Sequence, residues 1–216
     1  MRRSLGISEP EAPRLEVTRM RRRHLRGVMA IERQVYPRPW SPNLFLSEMS
    51  ESRNRCYLVA RIDREVVGYG GLICYGEEAH VTNVAVDPER QREKIGTRLL
   101  HDLVIAAVDM GAEAVSLEVR VTNWGAQRLY ARFGFRPVGI RKNYYQEIGE
   151  DALIMWVDGI GSRASDRRLR ERCVEPRRRN GPALDNLGLR SLRHTARGAR
   201  RDDRPSPARI RSSLPA

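Results

Sequence analysis

The sequence predicts an α/β fold in which a mixed, mostly antiparallel sheet is flanked by helices. Strand-like runs and amphipathic helical stretches alternate in the order β-α-α-β-β-β-α-β-α-β-β. Three of these strands follow one another without a helix between them, and no internal repeat is present. At 216 residues, 40% of them hydrophobic, the chain is long enough for one domain with a packed core.

The first elements are a short strand and two helices. Residues 15–17 alternate apolar and charged side chains, which is typical of a strand, and residues 22–36 carry apolar side chains at helical spacing. Pro37 ends this first helix. Ser41 is a suitable N-cap for the second helix, because Pro42 then occupies its first position.

Three strands occupy the centre of the chain. Apolar and β-branched residues predict them at residues 56–62, 66–75 and 80–87, with a turn at residues 63–65. Pro88 ends the last of the three. The absence of a helix in this region favours antiparallel neighbours joined by turns.

Two further helices alternate with the remaining strands. A long amphipathic helix is predicted over residues 93–110 and ends at Gly111. Asn123 is a suitable N-cap for a helix that runs to Phe133. The strands predicted around these helices span residues 114–120, 135–141 and 152–158.

The positive charge of the chain is concentrated in its C-terminal segment. Lys and Arg number 40 against 27 Asp and Glu, which gives a net charge of +13. Residues 161–216 contain 16 Arg, no Lys and six acidic residues, so they carry +10 of that charge. This segment is also rich in Pro, Gly and Ser and poor in apolar residues, which predicts a disordered basic tail.

The predicted organisation is a flexible lead at residues 1–13, a globular domain at residues 14–160 and the basic tail at residues 161–216. An Arg-rich tail can contact RNA weakly through phosphates, and it can equally be a solvated extension without a specific task. The sequence contains neither an apolar run of about 18 residues nor a signal-peptide pattern. We therefore expect a soluble, cytoplasmic protein that makes no membrane contact.

The chemically informative segment is residues 84–100. It consists of a strand, a polar loop and an amphipathic helix with one glycine near its start. This arrangement directs backbone N–H groups and the positive end of a helix dipole toward one point, which suits a phosphate or pyrophosphate. The same arrangement also occurs as ordinary packing, and the residues match neither a Walker loop nor GxGxxG.

At this point the residues resemble a known family. Gln91, Lys94 and Gly96 are spaced as in the acetyl-CoA pyrophosphate loop of the GCN5-related N-acetyltransferases (the GNAT family), usually written Q/R-x-x-G-x-G/A. Residues 15–158 are covered by the resemblance. Further stretches are similar to the RimI-type branch, the ribosomal-protein-alanine N-acetyltransferases: residues 117–123, Ala126, and residues 129–130, 134–135 and 141–145.

One position departs from the family pattern. Lys94 stands where the family usually has the first glycine of the loop. Because lysine adopts a positive φ at a higher energetic cost than glycine, the loop is expected to be somewhat reshaped. The Lys94 ammonium could in turn favour bound phosphates.

The resemblance implies the GNAT fold, acetyl-CoA as co-substrate and no metal. It implies that strand main-chain groups hold the pantetheine arm, that the loop and helix start hold the pyrophosphate, and that an asparagine adds a contact. Asn123 could also serve only as a helix cap. The implied cofactor-binding residues are Val84, Ala85, Val86, Arg92, Glu93, Lys94, Ile95, Gly96, Thr97 and Asn123.

Glu118 is the candidate general base. Alternation along its strand puts Glu118 on the same face as Ser116 and Arg120, so a rigid element presents its carboxylate beside the loop. An α-amine has a pKa of about 7.7–8.0, so a carboxylate acting through a water is sufficient to remove its proton. The alternative is an exposed strand glutamate that pairs with Arg120.

Tyr130 is the general acid that the resemblance implies. A phenol can protonate the departing thiolate if the site holds the hydroxyl close to it. The alternative is a core aromatic residue that packs with Leu129 and Phe133. Both descriptions can hold together, because the ring can pack while the hydroxyl points into a cleft.

The acceptor groove has three candidates, Trp40, Tyr144 and Tyr145, although aromatic residues in loops serve packing equally well. The resemblance implies a protein N-terminus as acceptor, specifically the N-terminal alanine of a small-subunit ribosomal protein. Direct amine attack is favoured over an acyl-enzyme, since neither Cys56 nor Cys74 has a histidine nearby in sequence.

Two alternative functions remain open. The first is a GNAT enzyme that acetylates another amine, such as a lysine side chain, a small molecule or a different protein N-terminus. The second is an RNA- or ribosome-associated module that works through the basic tail. The four histidines show no metal-ligand spacing, so no metal site is predicted.

Overall fold

The computed structural model describes residues 14–51 and 53–161 of the chain. The predicted flexible lead and all of the predicted basic tail after Gly161 lie outside the described residues, so both stay predictions. Within the described ranges there are seven strands and four α-helices. These are β1 (Glu16–Arg19), α1 (Leu25–Val35), α2 (Pro42–Ser50), β2 (Arg55–Ile62), β3 (Glu65–Tyr75), β4 (Glu78–Val86), α3 (Ile95–Asp109), β5 (Ala114–Arg120), α4 (Trp124–Arg132), β6 (Arg136–Tyr145) and β7 (Glu150–Asp158).

The order of strands and helices is the predicted one, and the fold class is confirmed. The strands form one sheet in the order β1-β2-β3-β4-β5-β7-β6. Every neighbouring pair is antiparallel except β4 and β5, which run parallel. The long helix α3 is part of the crossover that a parallel pair requires.

Several boundaries differ from the prediction by a few residues, and three of these differences have a clear structural reason. The helix predicted over residues 22–36 begins with a 3₁₀ turn, Arg22–His24, before α1. Helix α3 starts at Ile95 because the φ of Lys94 is 65°, a left-handed value that cannot continue into a right-handed helix. Strand β6 extends to Tyr145, because Tyr145 pairs with Glu150 of β7 beyond an irregularity in register.

The two faces of the sheet carry separate buried clusters. The larger cluster lies under α3 and includes Leu99 and Leu103. The smaller cluster lies under α1 and α2 and includes Phe45 and Tyr69. Gly70 of β3 allows α3 to approach closely, since a Cβ atom there would meet the Leu103 Cδ1 atom at 2.9 Å.

Strand β4 contains an irregularity that changes which face of the sheet its later residues occupy. Consecutive residues of β3 pair with Val81 and Asn83, so Thr82 is an extra residue on β4. A bulge of this kind inverts the alternation of faces and bends the strand. In agreement, Val81 and Val84 both contact the larger cluster although three positions separate them.

No helix in the described ranges is both long enough and apolar enough to span a bilayer. The longest, α3, has 15 residues. A spanning helix needs about 20 residues.

Candidate active site

The site lies where β4 and β5 separate. The two strands pair only over residues 78–81 of β4 and 114–117 of β5. Beyond that point β4 stays paired with β3 as far as Val86, while β5 stays paired with β7 as far as Arg120. The bulge at Thr82 coincides with the separation, so it accounts for the opening between the two strands.

One end of this opening is formed by the loop between β4 and α3. Arg92 and Lys94 both have left-handed backbone conformations, with φ values of 71° and 65°. The side chains of residues 91–94 are exposed. The first N–H groups of α3 have no partner within the helix, and the positive end of the helix dipole lies at Ile95.

This loop fits a pyrophosphate. Lys94 adopts the positive φ for which the family normally uses glycine, so the departure in sequence leaves the left-handed conformation in place. A Cβ atom on Gly96 would point toward Leu129 Cδ2 at 3.5 Å and Val86 Cγ2 at 3.6 Å. Gly96 therefore lies between the end of β4 and helix α4, beside the opening.

The predicted cofactor-binding residues lie along one continuous path. The edge of β4 that faces β5 has no strand partner after Val81 within the described ranges. Val84, Ala85 and Val86 are on this edge, so their main-chain groups can bind an extended ligand. Residues 92–97 follow at the loop and the start of α3. These positions support the cofactor assignments, which stay predictions.

Asn123 is the N-cap of α4. Its Oδ1 atom accepts a hydrogen bond from the backbone N–H of Ala126 at 3.1 Å. This satisfies one N–H group of the first turn. A cofactor contact, which stays a prediction, would therefore fall to the side-chain NH₂ group of Asn123.

Glu118 is the first residue of β5 after its pairing with β4 ends. Its side chain is only 7% exposed and contacts two basic groups. Glu118 Oε2 lies 3.1 Å from His80 Nε2, and Oε1 lies 3.3 Å from Arg141 Nη2. The alternative of an exposed glutamate paired with Arg120 is therefore wrong in its exposure, and the carboxylate has polar partners on β4 and β6.

Tyr130 lies on α4 with its ring in the larger cluster. The ring packs against Phe135, with a distance of 5.9 Å between the two centroids. Burial raises the pKa of Tyr130 to about 12. The hydroxyl therefore keeps its proton at neutral pH, which an acid requires, and the packing role expected as the alternative is also present.

Two further tyrosines lie near Tyr130. Burial is the main cause that raises the pKa values of Tyr36 and Tyr145 above their usual range, and the charge of Tyr130 contributes to both shifts. Glu118 also raises the pKa of Tyr145. Tyr145 therefore lies in the same region of the structure as Glu118 and Tyr130.

The aromatic candidates for the acceptor groove have packing partners. The Trp40 ring lies 5.3 Å from that of Phe45, and its backbone N–H donates to Glu32 Oε1 at 2.9 Å. Glu32 is 1% exposed, and burial raises its pKa to about 7. Trp40 thus belongs to the smaller cluster, and its contact with substrate stays a prediction.

Tyr144 and Tyr145 form an edge-to-face pair with ring centroids 5.0 Å apart. The Arg141 guanidinium carbon lies 5.2 Å from the centre of the Tyr144 ring. Arg141 therefore contacts both an aromatic face and the Glu118 carboxylate. The pair is partly buried, so a role in acceptor binding stays a prediction for both tyrosines.

Sequence reasoning missed Tyr36, His80 and Glu32 in this region, and it assigned no role to Arg141. The prediction includes Tyr36 as the last residue of the first helix and gives it no other role, whereas in the structure it is the residue directly after α1. His80 was considered only as a metal ligand. The described residues contain no group of three or more His, Cys, Asp or Glu side chains that could hold a metal. No local pattern marks these three residues, because their partners lie on other elements.

The arrangement defines a class of protein. A separated pair of parallel strands, a helix N-terminus at one end, and a buried carboxylate and phenol beside it suit transfer of an acyl group from a phosphate-bearing carrier to an amine. A family model described as "Acetyltransferase (GNAT) family" matches residues 25–135. The chain belongs to this family and is an N-acetyltransferase, which confirms the resemblance found in the sequence.

Curated relatives agree with this assignment. A Bacillus subtilis protein assigned as a [ribosomal protein bS18]-alanine N-acetyltransferase is 41% identical over 141 residues, which cover 65% of this chain and 93% of the relative. The N-alpha-acetyltransferase RimI of Mycobacterium tuberculosis is 39% identical over 121 residues, or 54% of this chain and 74% of the relative.

A solved structure is similar over the same region. The ribosomal-protein-S18-alanine N-acetyltransferase from Escherichia coli has a TM-score of 0.61 and 28% sequence identity, covering 68% of this chain and 94% of that one. Ard1 from Thermoplasma volcanium has a TM-score of 0.60 and 25% identity, covering 67% of this chain and 97% of that one.

Proposed function

We propose that this enzyme transfers the acetyl group of acetyl-CoA to the α-amine of a protein N-terminus, with the N-terminal alanine of ribosomal protein bS18 as substrate. The substrate proposal is supported by the names of relatives that match most of their own length. One structural observation carries the proposed chemistry: His80 and Arg141 hold the nearly buried Glu118 carboxylate at the point where β4 and β5 separate.

The opening between β4 and β5 is the proposed cofactor site. The unpaired edge at Val84, Ala85 and Val86 would bind the pantetheine amides, and residues 92–97 would bind the pyrophosphate. When bound, acetyl-CoA supplies the thioester carbonyl carbon that the amine attacks and the thiolate that leaves. The described residues contain no metal-binding group, and the proposed chemistry of amine and thioester requires none.

Glu118 is the proposed base. Its carboxylate takes a proton from the substrate ammonium, directly or through one water, so that the nitrogen lone pair becomes available. Arg141 and His80 fix the two carboxylate oxygens from different strands. A fixed carboxylate at the fork of the sheet orients the amine as well as accepting its proton.

Tyr130 is the proposed acid. Its hydroxyl donates a proton to the departing thiolate, and its buried ring keeps it in position. The raised pKa, about 12, means that the proton is transferred against a difference in acidity, since a thiol has a pKa of about 8.5. Proximity rather than acid strength is therefore the proposed contribution of Tyr130.

We propose that residues 14–160 are sufficient for this activity. Ile160 is 4% exposed, and its backbone N–H donates to the Glu113 carbonyl at 3.1 Å, so the domain needs the chain to this point. A ribosomal-protein substrate favours a cytoplasmic enzyme. RNA contact through residues 161–216 stays a prediction.

Intact-mass spectrometry with acetyl-CoA and a peptide that begins with the bS18 sequence tests the proposal. We expect the mass of one acetyl group to be added to the free N-terminus. The matched control is the same peptide with its α-amine blocked and an internal lysine retained. Acetylation of the control alone would contradict an α-amine substrate. A chain ending at Ser162 should perform equally well if the residues after Ser162 are not needed for the activity.

A further inference from the structure

We propose that His80 is a positioning residue for Glu118 and that Ser116 holds His80 in the tautomer this role requires. The inference rests on the proposed role of Glu118 as base and identifies the residues that orient it. His80 lies on β4, whereas Ser116 and Glu118 lie on β5. All three side chains are nearly buried, with 7% exposure for His80 and 9% for Ser116.

The three side chains form one continuous chain of polar contacts. His80 Nε2 lies 3.1 Å from Glu118 Oε2, and His80 Nδ1 lies 3.0 Å from Ser116 Oγ. His80 and Ser116 are opposite each other in the parallel register of β4 and β5. Glu118 is two residues further along β5 and therefore lies on the same face.

The hydrogen-bond network assigns the tautomer of His80. The Ser116 hydroxyl has one proton and two acceptors in reach, His80 Nδ1 at 3.0 Å and the Ala79 carbonyl oxygen at 3.5 Å. The shorter contact is favoured, so Ser116 donates to Nδ1. Neutral His80 then carries its proton on Nε2 and donates it to Glu118.

The opposite tautomer would be unfavourable. It would direct the Nε2 lone pair at a carboxylate oxygen 3.1 Å away, between two nearly buried side chains. Two acceptors at that distance repel each other, and the repulsion is only weakly screened where both groups are nearly buried. Ser116 therefore acts on Glu118 through His80, although its hydroxyl contacts the imidazole and not the carboxylate.

The position of this row of polar contacts, Ser116–His80–Glu118, explains how it can orient Glu118. It crosses from β4 to β5 next to the last paired residues, Val81 and Leu117, before the strands separate. His80 and Arg141 each hold one oxygen of Glu118, and they come from opposite sides of β5. The carboxylate is thereby fixed in rotation at the mouth of the proposed cofactor site.

Several titratable or charged groups face Glu118. They are His80 from β4, Arg141 and Tyr145 from β6, and Arg120, which lies on the same face of β5. Burial holds the pKa of Tyr145 above its usual range, so this phenol stays neutral in an assay near neutral pH. Loss of the His80 donor disfavours the ionised carboxylate, which moves the acidic limb of the kcat profile to higher pH.

Two amide variants of the full-length enzyme separate positioning from simple packing. His80→Gln can place its NH₂ group near the Nε2 position and reach Glu118, whereas His80→Asn places it near Nδ1 and reaches only Ser116. We expect His80→Asn to lower kcat about 10-fold to 100-fold, the effect of losing one hydrogen bond to a charged group. His80→Gln should restore most of that loss and the acidic limb of wild type.

Ser116→Ala provides a second test. It should lower kcat in wild type but have no effect in the His80→Gln background, because an amide has no tautomer to fix. Equal losses in both backgrounds would overturn the role of Ser116. Equal activity and equal pH profiles of His80→Gln, His80→Asn and wild type would overturn the role of His80.

A measurement without substrate keeps this inference separate from the proposed function. Long-range ¹H–¹⁵N NMR of the wild-type enzyme reports which imidazole nitrogen of His80 carries the proton. The chain has four histidines, and His80→Gln identifies the signal. We expect protonation at Nε2, with loss of that preference in Ser116→Ala. Protonation at Nδ1 alone would overturn the inference even if bS18 peptide is acetylated, whereas protonation at Nε2 supports it even if that peptide is not.

Discussion

The two ends of the opening between β4 and β5 are built from different parts of the chain. At the α3 end, the shape comes from the backbone of a contiguous segment: two left-handed residues, Arg92 and Lys94, and the first turn of a helix. Around Glu118, the shape comes from side chains on β4, β5 and β6 that meet only through the sheet register. The first end presents N–H groups, and the second presents a carboxylate together with the side chains that hold it.

Because one end is built from backbone and the other from side chains, we expect them to respond differently to substitution. A backbone site tolerates a new side chain as long as the φ values remain accessible, which is why Lys94 can replace a glycine. A site of interlocking side chains depends on each hydrogen-bonding atom, because an unpaired buried polar group is costly. We therefore expect large losses at the Glu118 end and small ones at the loop.

The largest effect is expected for Glu118→Gln. The amide keeps the shape of the side chain but cannot accept the proton of the amine, so kcat should fall by roughly 10²–10⁴-fold with little change in cofactor affinity. The loss should shrink as pH rises, because more substrate amine is then already neutral. Steady-state kinetics from acidic to alkaline pH measures the loss in kcat and its pH dependence. Calorimetry measures the affinity for acetyl-CoA.

The matched control for that experiment is Glu113→Gln, at an exposed position just before β5. It removes one negative charge from the same region without touching the site. A deficit of Glu118→Gln that is constant with pH would indicate a binding or structural role for Glu118 in place of the role of base.

A smaller effect is expected for Tyr130→Phe. The phenylalanine ring can keep the contact with Phe135, so the substitution removes only the hydroxyl. Because Tyr130 has a pKa of about 12 and a thiolate is a tolerable leaving group, we expect a loss in kcat of roughly 10-fold to 10²-fold. The loss in kcat should exceed the change in KM for either substrate.

Thermal unfolding of wild type and Tyr130→Phe checks that the fold is retained. The control variant is Tyr75→Phe, at a residue that is 40% exposed. If Tyr130→Phe turns over at the wild-type rate and melts normally, Tyr130 is a core aromatic residue and not the acid. In that case the backbone end of the site would carry more of the catalysis than we propose.

The smallest effect is expected at Lys94. Lys94→Gly and Lys94→Ala both remove the ammonium group, but only glycine adopts a φ of 65° without steric cost. We expect Lys94→Gly to exceed Lys94→Ala in free energy of unfolding by about 0.5–1 kcal/mol. Chemical denaturation measures the difference, and calorimetry should give the two variants similar affinities for acetyl-CoA. Equal stabilities would show that the loop does not retain the left-handed conformation at this position.

Much of the fold could be predicted from the sequence because its signals are local. Ser41 and Asn123 accept hydrogen bonds from backbone N–H groups of the helices they begin, as their positions before those helices predicted. The boundaries of β5, residues 114–120, also agree with the prediction. The start of α3 could not be placed, since a lysine in the left-handed region has no sequence signature.

The residues of the candidate site also divide into those with a local sequence signal and those without one. Glu118 and Tyr130 could be selected because they lie in stretches that resemble a family, and the pyrophosphate loop could be selected because it is contiguous. The side chains that contact Glu118 could not be selected from the sequence. His80 gave no signal as a strand residue, and Arg141 is brought to Glu118 only by the pairing of β6 and β7 with β5.

The sequence by itself determined the order of elements, the helix caps, the strand-loop-helix segment that we propose binds the pyrophosphate, and the membership in an acetyltransferase family. Only the tertiary structure decided that Thr82 is an extra residue, that β4 and β5 separate just beyond it, and that Glu118 lies between His80 and Arg141. The physical reason is that caps and loops depend on neighbours along the chain, whereas strand register depends on pairing between distant segments. A shift of one residue in that register would turn every side chain of a strand to the opposite face.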